Sequence, residues 1–191
     1  MKGRGRKIFL FLALAWVFGA HPAAAQEAEK GNPALEAFSL WQRGYVYHLL
    51  GQYQLAIAHF RKSIEVRPSA EGHTFLGWSL SMLGRHEEAI AECKKAIPLD
   101  PDFGNPYNDI GVYLVALGRL DEAIPYLKKA MRAKRYCCYQ FAHYNMGRVL
   151  VLKGREGEAM SFFEKALEYD PNYEPALQAL RALRKKGLRT L

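Results

Sequence analysis

The stretch WQRGYVYHLLGQYQLAIAHFRKSIEVRP, Trp41 to Pro68, decides the fold. In it Gly44 is followed by Gly51, Ala56 and Ser63. The same skeleton returns as Gly77, Gly84, Ala89 and Ala96, then as Gly111, Gly118, Ala123 and Ala130, then as Gly147, Gly154, Ala159 and Ala166. Spacing inside a unit never varies, while the step between units is 33, then 34, then 36 residues. A fixed period of ~20–50 residues marks a stacked repeat, in which each unit buries its apolar face against the next. Solenoids of this kind present surfaces rather than reaction centres.

Within the first unit, Phe38 to Leu50 contains no proline and carries apolar residues at helical spacing. Gly51 stops that run, as a residue tolerant of positive φ does just past a helix end. Tyr53, Ala56, Ile57, Phe60 and Ile64 follow three and four apart, the pattern of a second amphipathic helix, and Pro68 closes it. So short a link makes the two helices antiparallel. Gly44 falls inside the first helix, where glycine costs roughly 0.5–1 kcal/mol relative to alanine. Its recurrence predicts a close helix approach, with Ala56 filling the facing position. Ser63, Ala96, Ala130 and Ala166 are expected to do the same against the next unit. Phe60, Leu127 and Phe163 fill the gaps, and Cys93 holds that column in the second unit.

At these residues the chain resembles the tetratricopeptide repeat family. The matches are Gly44, Tyr47, Tyr53, Ala56, Phe60 and Pro68, then Leu76, Gly77, Ala89, Ala96 and Pro101. Tyr107, Gly111, Ala123 and Ala130 follow, then Gly147, Ala159, Phe163, Ala166 and Pro171. The resemblance implies an all-α, right-handed solenoid of antiparallel helix pairs, with units at 37–69, 70–103, 104–137 and 140–173. The third unit departs from it, having Arg135 where the closing proline belongs. Pro98 and Pro125 fall inside second helices, and Pro125 is expected to cost one hydrogen bond or bend its helix. Ala176, Leu177, Leu180 and Leu183 share one face of a segment read as a capping helix, followed by a basic tail, over 174–191.

The two ends carry the net charge of +8. Lys2, Arg4, Arg6 and Lys7 precede an uncharged run from Ile8 to Ala20, a His21-Pro22 break and Ala23-Ala24-Ala25. That order reads as a signal peptide over 1–25, with a lead-in over 26–36 and export to a bacterial periplasm as the expectation. The alternative is an uncleaved N-terminal segment that tethers the chain to a membrane. Arg181, Arg184, Lys185, Lys186 and Arg189 make the tail basic, so weak contact with anionic lipid is an open alternative. The repeat region is close to neutral, which argues against a nucleic-acid partner.

The sequence holds no His-Glu-x-x-His, phosphate-loop, Gly-x-Ser-x-Gly or haem-attachment motif. No enzyme activity, metal or cofactor is expected. His48, His59, His73, His86 and His143 stand at different phases of the repeat. Cys137 and Cys138 are adjacent in the linker that carries the extra residues of the 36-residue step. Adjacent cysteines seldom pair, because disulfide geometry strains the peptide between them. The expectation is therefore three reduced thiols, with the linker pair packed against Tyr136, Tyr139 and Phe141. A thiol-redox or metal-binding accessory using Cys137 and Cys138 is the alternative.

In the family, first helices line a concave groove that receives a partner's peptide. The corresponding faces here offer Phe38, Trp41, Tyr45, Phe75 and Trp78, then Asn105, Asn108 and Asp109, then Phe141, Tyr144, Asn145 and Arg148. Trp41 and Trp78 are candidate anchors, and Asn108 and Asn145 candidates to hold peptide backbone. Packing between first helices is the competing role for Trp41 and Phe75, and a helix-to-helix hydrogen bond for Asn145. The lysines that clamp a partner's terminal carboxylate in one family subtype are absent, and Asp109 intrudes. The function expected is protein–protein interaction as a scaffold or adaptor of the cell envelope, with self-association through the groove also open.

Overall fold

The computed structural model describes residues 31–187 of the 191-residue chain. The expected leader, the start of the lead-in and the last four residues of the tail lie outside the described residues. Nine helices and no strand follow one another among the described residues. They are α1 (Pro33–Leu49), α2 (Tyr53–Val66), α3 (Ala70–Ser81), α4 (His86–Leu99), α5 (Gly104–Ala116), α6 (Leu120–Ala130), α7 (Tyr139–Leu152), α8 (Glu156–Tyr169) and α9 (Glu174–Gly187). Pairs α1–α2, α3–α4, α5–α6 and α7–α8 pack as hairpins, each second helix packs on the first helix of the next unit, and α9 covers α8. First helices also touch one another, α1 with α3, α3 with α5 and α5 with α7, and so form a common inner wall.

Helix α1 starts at Pro33, earlier than the repeat boundary at 37. The Asn32 side chain accepts from the amides of Ala34 and Leu35 at 3.0 and 3.4 Å, and Pro33 has no N–H to satisfy.

All four first helices end in one way. Gly51, Gly84, Gly118 and Gly154 have φ of 73, 74, 73 and 73°. The residue after each donates its amide back to the end of the helix: Gln52 to Tyr47, Arg85 to Leu80, Arg119 to Leu114 and Arg155 to Leu150, at 2.8–3.1 Å. Such a closure requires the left-handed conformation, which glycine adopts without penalty. Gly118→Ala is expected to lower stability by about 1–2 kcal/mol through backbone strain alone. A new Cβ there meets nothing within 4 Å, so urea unfolding should show a lower midpoint at unchanged m-value.

The other glycine column has the packing reason expected of it, with a partner that differs between units. A Cβ on Gly44 would come within 2.8 Å of the Phe60 ring, on Gly111 within 2.6 Å of Leu127, and on Gly147 within 2.5 Å of Phe163. On Gly77 it would meet the Ala89 carbonyl and the Cys93 sulfur at 3.0 Å. In three units the glycine thus makes room for a bulky side chain of the second helix, and in the second unit for the Ala89 backbone and Cys93. Ser63 adds a polar contact to its small size. Its hydroxyl donates to the Ala37 carbonyl of its own hairpin at 2.7 Å.

The third hairpin is the irregular one. Pro125 lies inside α6 without ending it, but α6 has 11 residues where α2, α4 and α8 have 14. The chain leaves the helix at Ala130, and residues 131–138 run back along the start of α5. Arg135 donates its amide to the Asp102 carbonyl at 2.9 Å and accepts from the Gly104 amide at 3.1 Å. Its guanidinium lies 3.9 Å over the Phe103 ring and pairs with Glu71 at 2.9 Å and Asp100 at 2.6 Å. The residue that replaces the closing proline therefore clasps the second and third units together.

Candidate functional site

At the first end of the inner wall, Phe38, Trp41 and Tyr45 lie three and four apart on α1 and share one face. Trp41 and Tyr45 stack at 5.5 Å, and the edge of Phe75 from α3 meets them at 5.0 and 5.5 Å. These three rings are half-buried and pack between neighbouring first helices, the competing role noted for Trp41 and Phe75. Phe38 and Trp78 differ, being 53% and 38% exposed. The His48 ring lies 3.9 Å from Trp78, with its Nδ1 on the Ser79 hydroxyl at 2.9 Å. A cavity of about 460 Å³ opens here, lined by Phe38, Trp41, Ser63, Arg67 and Glu71 among others.

In the middle, polar side chains of α5 and α7 join into one chain of hydrogen bonds. Arg148 Nη1 donates to Asn145 Oδ1 at 3.3 Å, Asn145 Nδ2 to Asn108 Oδ1 at 3.0 Å, and Asn108 Nδ2 to Asp109 Oδ1 at 3.3 Å. Both asparagines are buried. Their amides bond each other across the helix gap, the competing role expected for Asn145, and Asn108 is engaged by the same bond. A buried amide left unpaired is costly, so the two residues secure the α5–α7 contact first.

Asp109 stands at the end of this relay, beside a cavity of about 250 Å³ lined by Phe75, Trp78, Asn105, Tyr136, Cys138 and Phe141 together with Thr74 and Asn108. Burial pushes its carboxyl up to about 7, against the opposing effect of the Asn108 bond. None of the ion pairs formed within the described residues includes it. The Tyr136 hydroxyl is buried without a hydrogen-bond partner, and burial raises its pKa as well. Thr74 and Tyr136 had no signal as site residues in the sequence. Tyr136 comes from the linker, outside any helical register, and is held against the start of α5 because Gly104 has no side chain.

At the far end Tyr144 meets Tyr173 edge-on at 5.3 Å, Phe141 meets Tyr173 at 5.5 Å, and the Arg148 guanidinium lies 5.9 Å over Tyr144. A further cavity of about 280 Å³ lies between α7 and α9.

The cysteines overturn one expectation. Cys137 and Cys138 are joined as a disulfide, not reduced, and Cys138 forms part of the middle cavity. Sulfurs bonded to each other offer no thiolate pair to a metal. Cys93 is free and buried, and burial pushes its thiol well up. His73 pairs with Glu92 at 2.7 Å, which holds that carboxyl below its ordinary range. Among the described residues no group of three or more His, Cys, Asp or Glu is placed to hold a metal ion, and no helix is long and apolar enough to cross a membrane.

Known proteins match this architecture. Tetratricopeptide repeat models match residues 34–102 and 114–183, together more than two thirds of the chain. The solved structure of PilF from Pseudomonas aeruginosa superposes with a TM-score of 0.77 at 25% identity, over 83% of this chain and 72% of that one. YrrB, described as a TPR protein with an unusual peptide-binding site, gives 0.64 at 22% identity, over 83% and 81%. By sequence the chain is 24% identical to the bovine (Bos taurus) BBSome complex member BBS4 over 84% of its length, and 27% identical to the human (Homo sapiens) mitochondrial import receptor subunit TOM70 over 70%. It spans 31% and 22% of those relatives. The glycine caps, the hairpin stack and these matches agree: the chain belongs to the tetratricopeptide repeat family.

Proposed function

We propose that this protein is a non-catalytic adaptor that holds a segment of a partner protein along the wall formed by α1, α3, α5 and α7. The observation that carries the reading is the row of Phe38, Trp78 and Phe141, large rings left exposed on a wall whose other aromatics are packed. Exposed aromatic side chains flanked by cavities are the usual anchors of binding energy. A receptor subunit and a protein with a peptide-binding site among the relatives support a peptide or protein ligand.

The test is capture of partners from the native envelope by the full chain. Phe38→Ala with Trp78→Ala is expected to weaken capture by about tenfold or more while circular dichroism and melting temperature hold. Trp41→Ala, in contrast, is expected to lower the melting temperature, because that ring is packed against Tyr45 and Phe75. Capture unchanged in the double variant would refute the groove.

We further propose export to the cell envelope. The leader-like order of residues 1–25 supports it. N-terminal sequencing of protein from the periplasm should find a start at Gln26. A retained leader would favour the tethered alternative. Contact with lipid through the basic tail has less support, because Arg181, Arg184 and Lys186 pair with Glu174, Glu164 and Glu156. A redox role is favoured by one observation only, the disulfide at the edge of the middle cavity. Alkylation of the native protein with and without mild reductant would test it.

A further inference from the structure

We infer that the middle cavity of the inner wall seats a positively charged side chain, a lysine or arginine of the bound partner segment, against Asp109, resting on the groove reading proposed above. Three features of the cavity point to this chemistry. Asp109 is a carboxylate set into an aromatic-walled recess, and it forms no ion pair within the described residues. Its Oδ1 accepts the one hydrogen bond it makes, from Asn108 at 3.3 Å. A part-buried carboxylate with no countercharge carries an uncompensated desolvation cost, which a visiting cation would offset.

The relay explains why Asp109 stays unpaired. Arg148 is the nearby cation of the wall, but Asn145 and Asn108 lie between the two and engage one another. Their amides fix the carboxylate in place and hold the arginine at the other end. The second feature is the Tyr136 hydroxyl, buried without a partner in the lining of the same cavity. It supplies an oxygen acceptor for the N–H groups of an ammonium or guanidinium. The third is the wall itself. Phe75 and Trp78 from α3 and Phe141 from α7 offer ring faces to the methylene stem and to the charge. At about 250 Å³ the cavity is smaller than the ~300–1,000 Å³ of small-molecule sites, so it fits a single side chain carried on a peptide. No lysine or arginine lines it, so an acidic group would find no countercharge there and would face Asp109.

The test uses the full chain and four blocked peptides, acetyl-Ala-Leu-Xaa-Leu-Ala-amide, with lysine, arginine, norleucine or glutamate at Xaa. Binding is followed by calorimetry for wild type, Asp109→Asn and Trp78→Ala. The lysine and arginine peptides are expected to bind about tenfold more tightly than the norleucine peptide, and the glutamate peptide most weakly. In Asp109→Asn the cationic preference should vanish, leaving lysine and norleucine peptides equal, with circular dichroism unchanged. Equal affinities of lysine and norleucine peptides for wild type would overturn the cation seat. The groove reading would still stand if Trp78→Ala weakens both. Absence of binding by all four peptides would also overturn the seat, and the groove is then judged by the Phe38/Trp78 capture experiment.

Discussion

Phe163→Ala is expected to lower stability by about 3–5 kcal/mol, the range for deleting a fully enclosed aromatic side chain. Phe163 is 1% exposed and fills the space left by Gly147, with Tyr144 packed 5.6 Å from its ring. Val149, Leu150, Ala159 and Ala166 belong to the same buried cluster, so closing such a void would have to displace them. The reciprocal change, Gly147→Ala, places a methyl group 2.5 Å from the same ring and is expected to cost about 1–3 kcal/mol by overpacking. Because one change empties the site and the other crowds it, the two are coupled. Gly147→Ala with Phe163→Leu, a pairing closer in bulk to Gly111 with Leu127, should be more stable than the sum of its single variants. Urea unfolding of the four proteins measures this directly, and additive costs would show that the glycine column does not face the aromatic one.

Asp109→Asn is expected to do the opposite and stabilise the protein, increasingly as pH rises from about 4 to about 7 and fully above that. The Asp109 carboxyl titrates at about 7 in the folded chain and near its ordinary value of 3.8 in the unfolded one. Between those values the folded state holds a proton that the unfolded state has lost. Stability therefore falls as pH rises through that window, and the full loss is present above it. Asparagine keeps the shape and carries no charge to desolvate. The variant should match the wild type near pH 4 and exceed it at pH 8 by roughly 1–4 kcal/mol, the upper figure corresponding to the whole shift. The titratable groups that face Asp109 are Cys93, Tyr113 and Tyr136, all pushed up by burial and neutral throughout. Glu92 is held low by His73 in both proteins and cancels in the difference. A pH-independent difference would mean that the carboxyl does not titrate in the window.

The fold was legible because its determinants are local. A left-handed cap and a missing Cβ each leave a glycine at a fixed place, and four repetitions make the period plain. Which second-helix residue comes nearest each glycine was not legible, since facing distances depend on how far one helix is displaced along the other: Phe60 is nearest Gly44, whereas Gly77 meets the Ala89 backbone. The site divides the same way. Phe38, Trp78 and Phe141 could be placed on the inner face from helical spacing. Whether Asn108 and Asn145 reach a ligand or each other depends on the α5–α7 separation, which periodicity does not encode. Tyr136 and Cys138 enter the site from the segment where the period breaks, so no register argument reaches them. The pairing of Cys137 with Cys138 belongs to that segment too.

The clasp at Arg135 has a mechanical consequence. In a stack of repeats each unit leans only on its neighbours, and the whole bends like a uniform spring. Here one loop, residues 131–138, grips Glu71 at the start of the second unit, Asp100 and Phe103 at the next joint, and runs straight into α7 of the fourth. Bending across the middle must break that grip in addition to the neighbour-to-neighbour ties, such as Lys153 with Asp121 and Trp41 with Phe75, that serve the other joints. The joint between the second and third units therefore carries one more restraint than a plain stack of repeats would give it, and the middle cavity lies beside it.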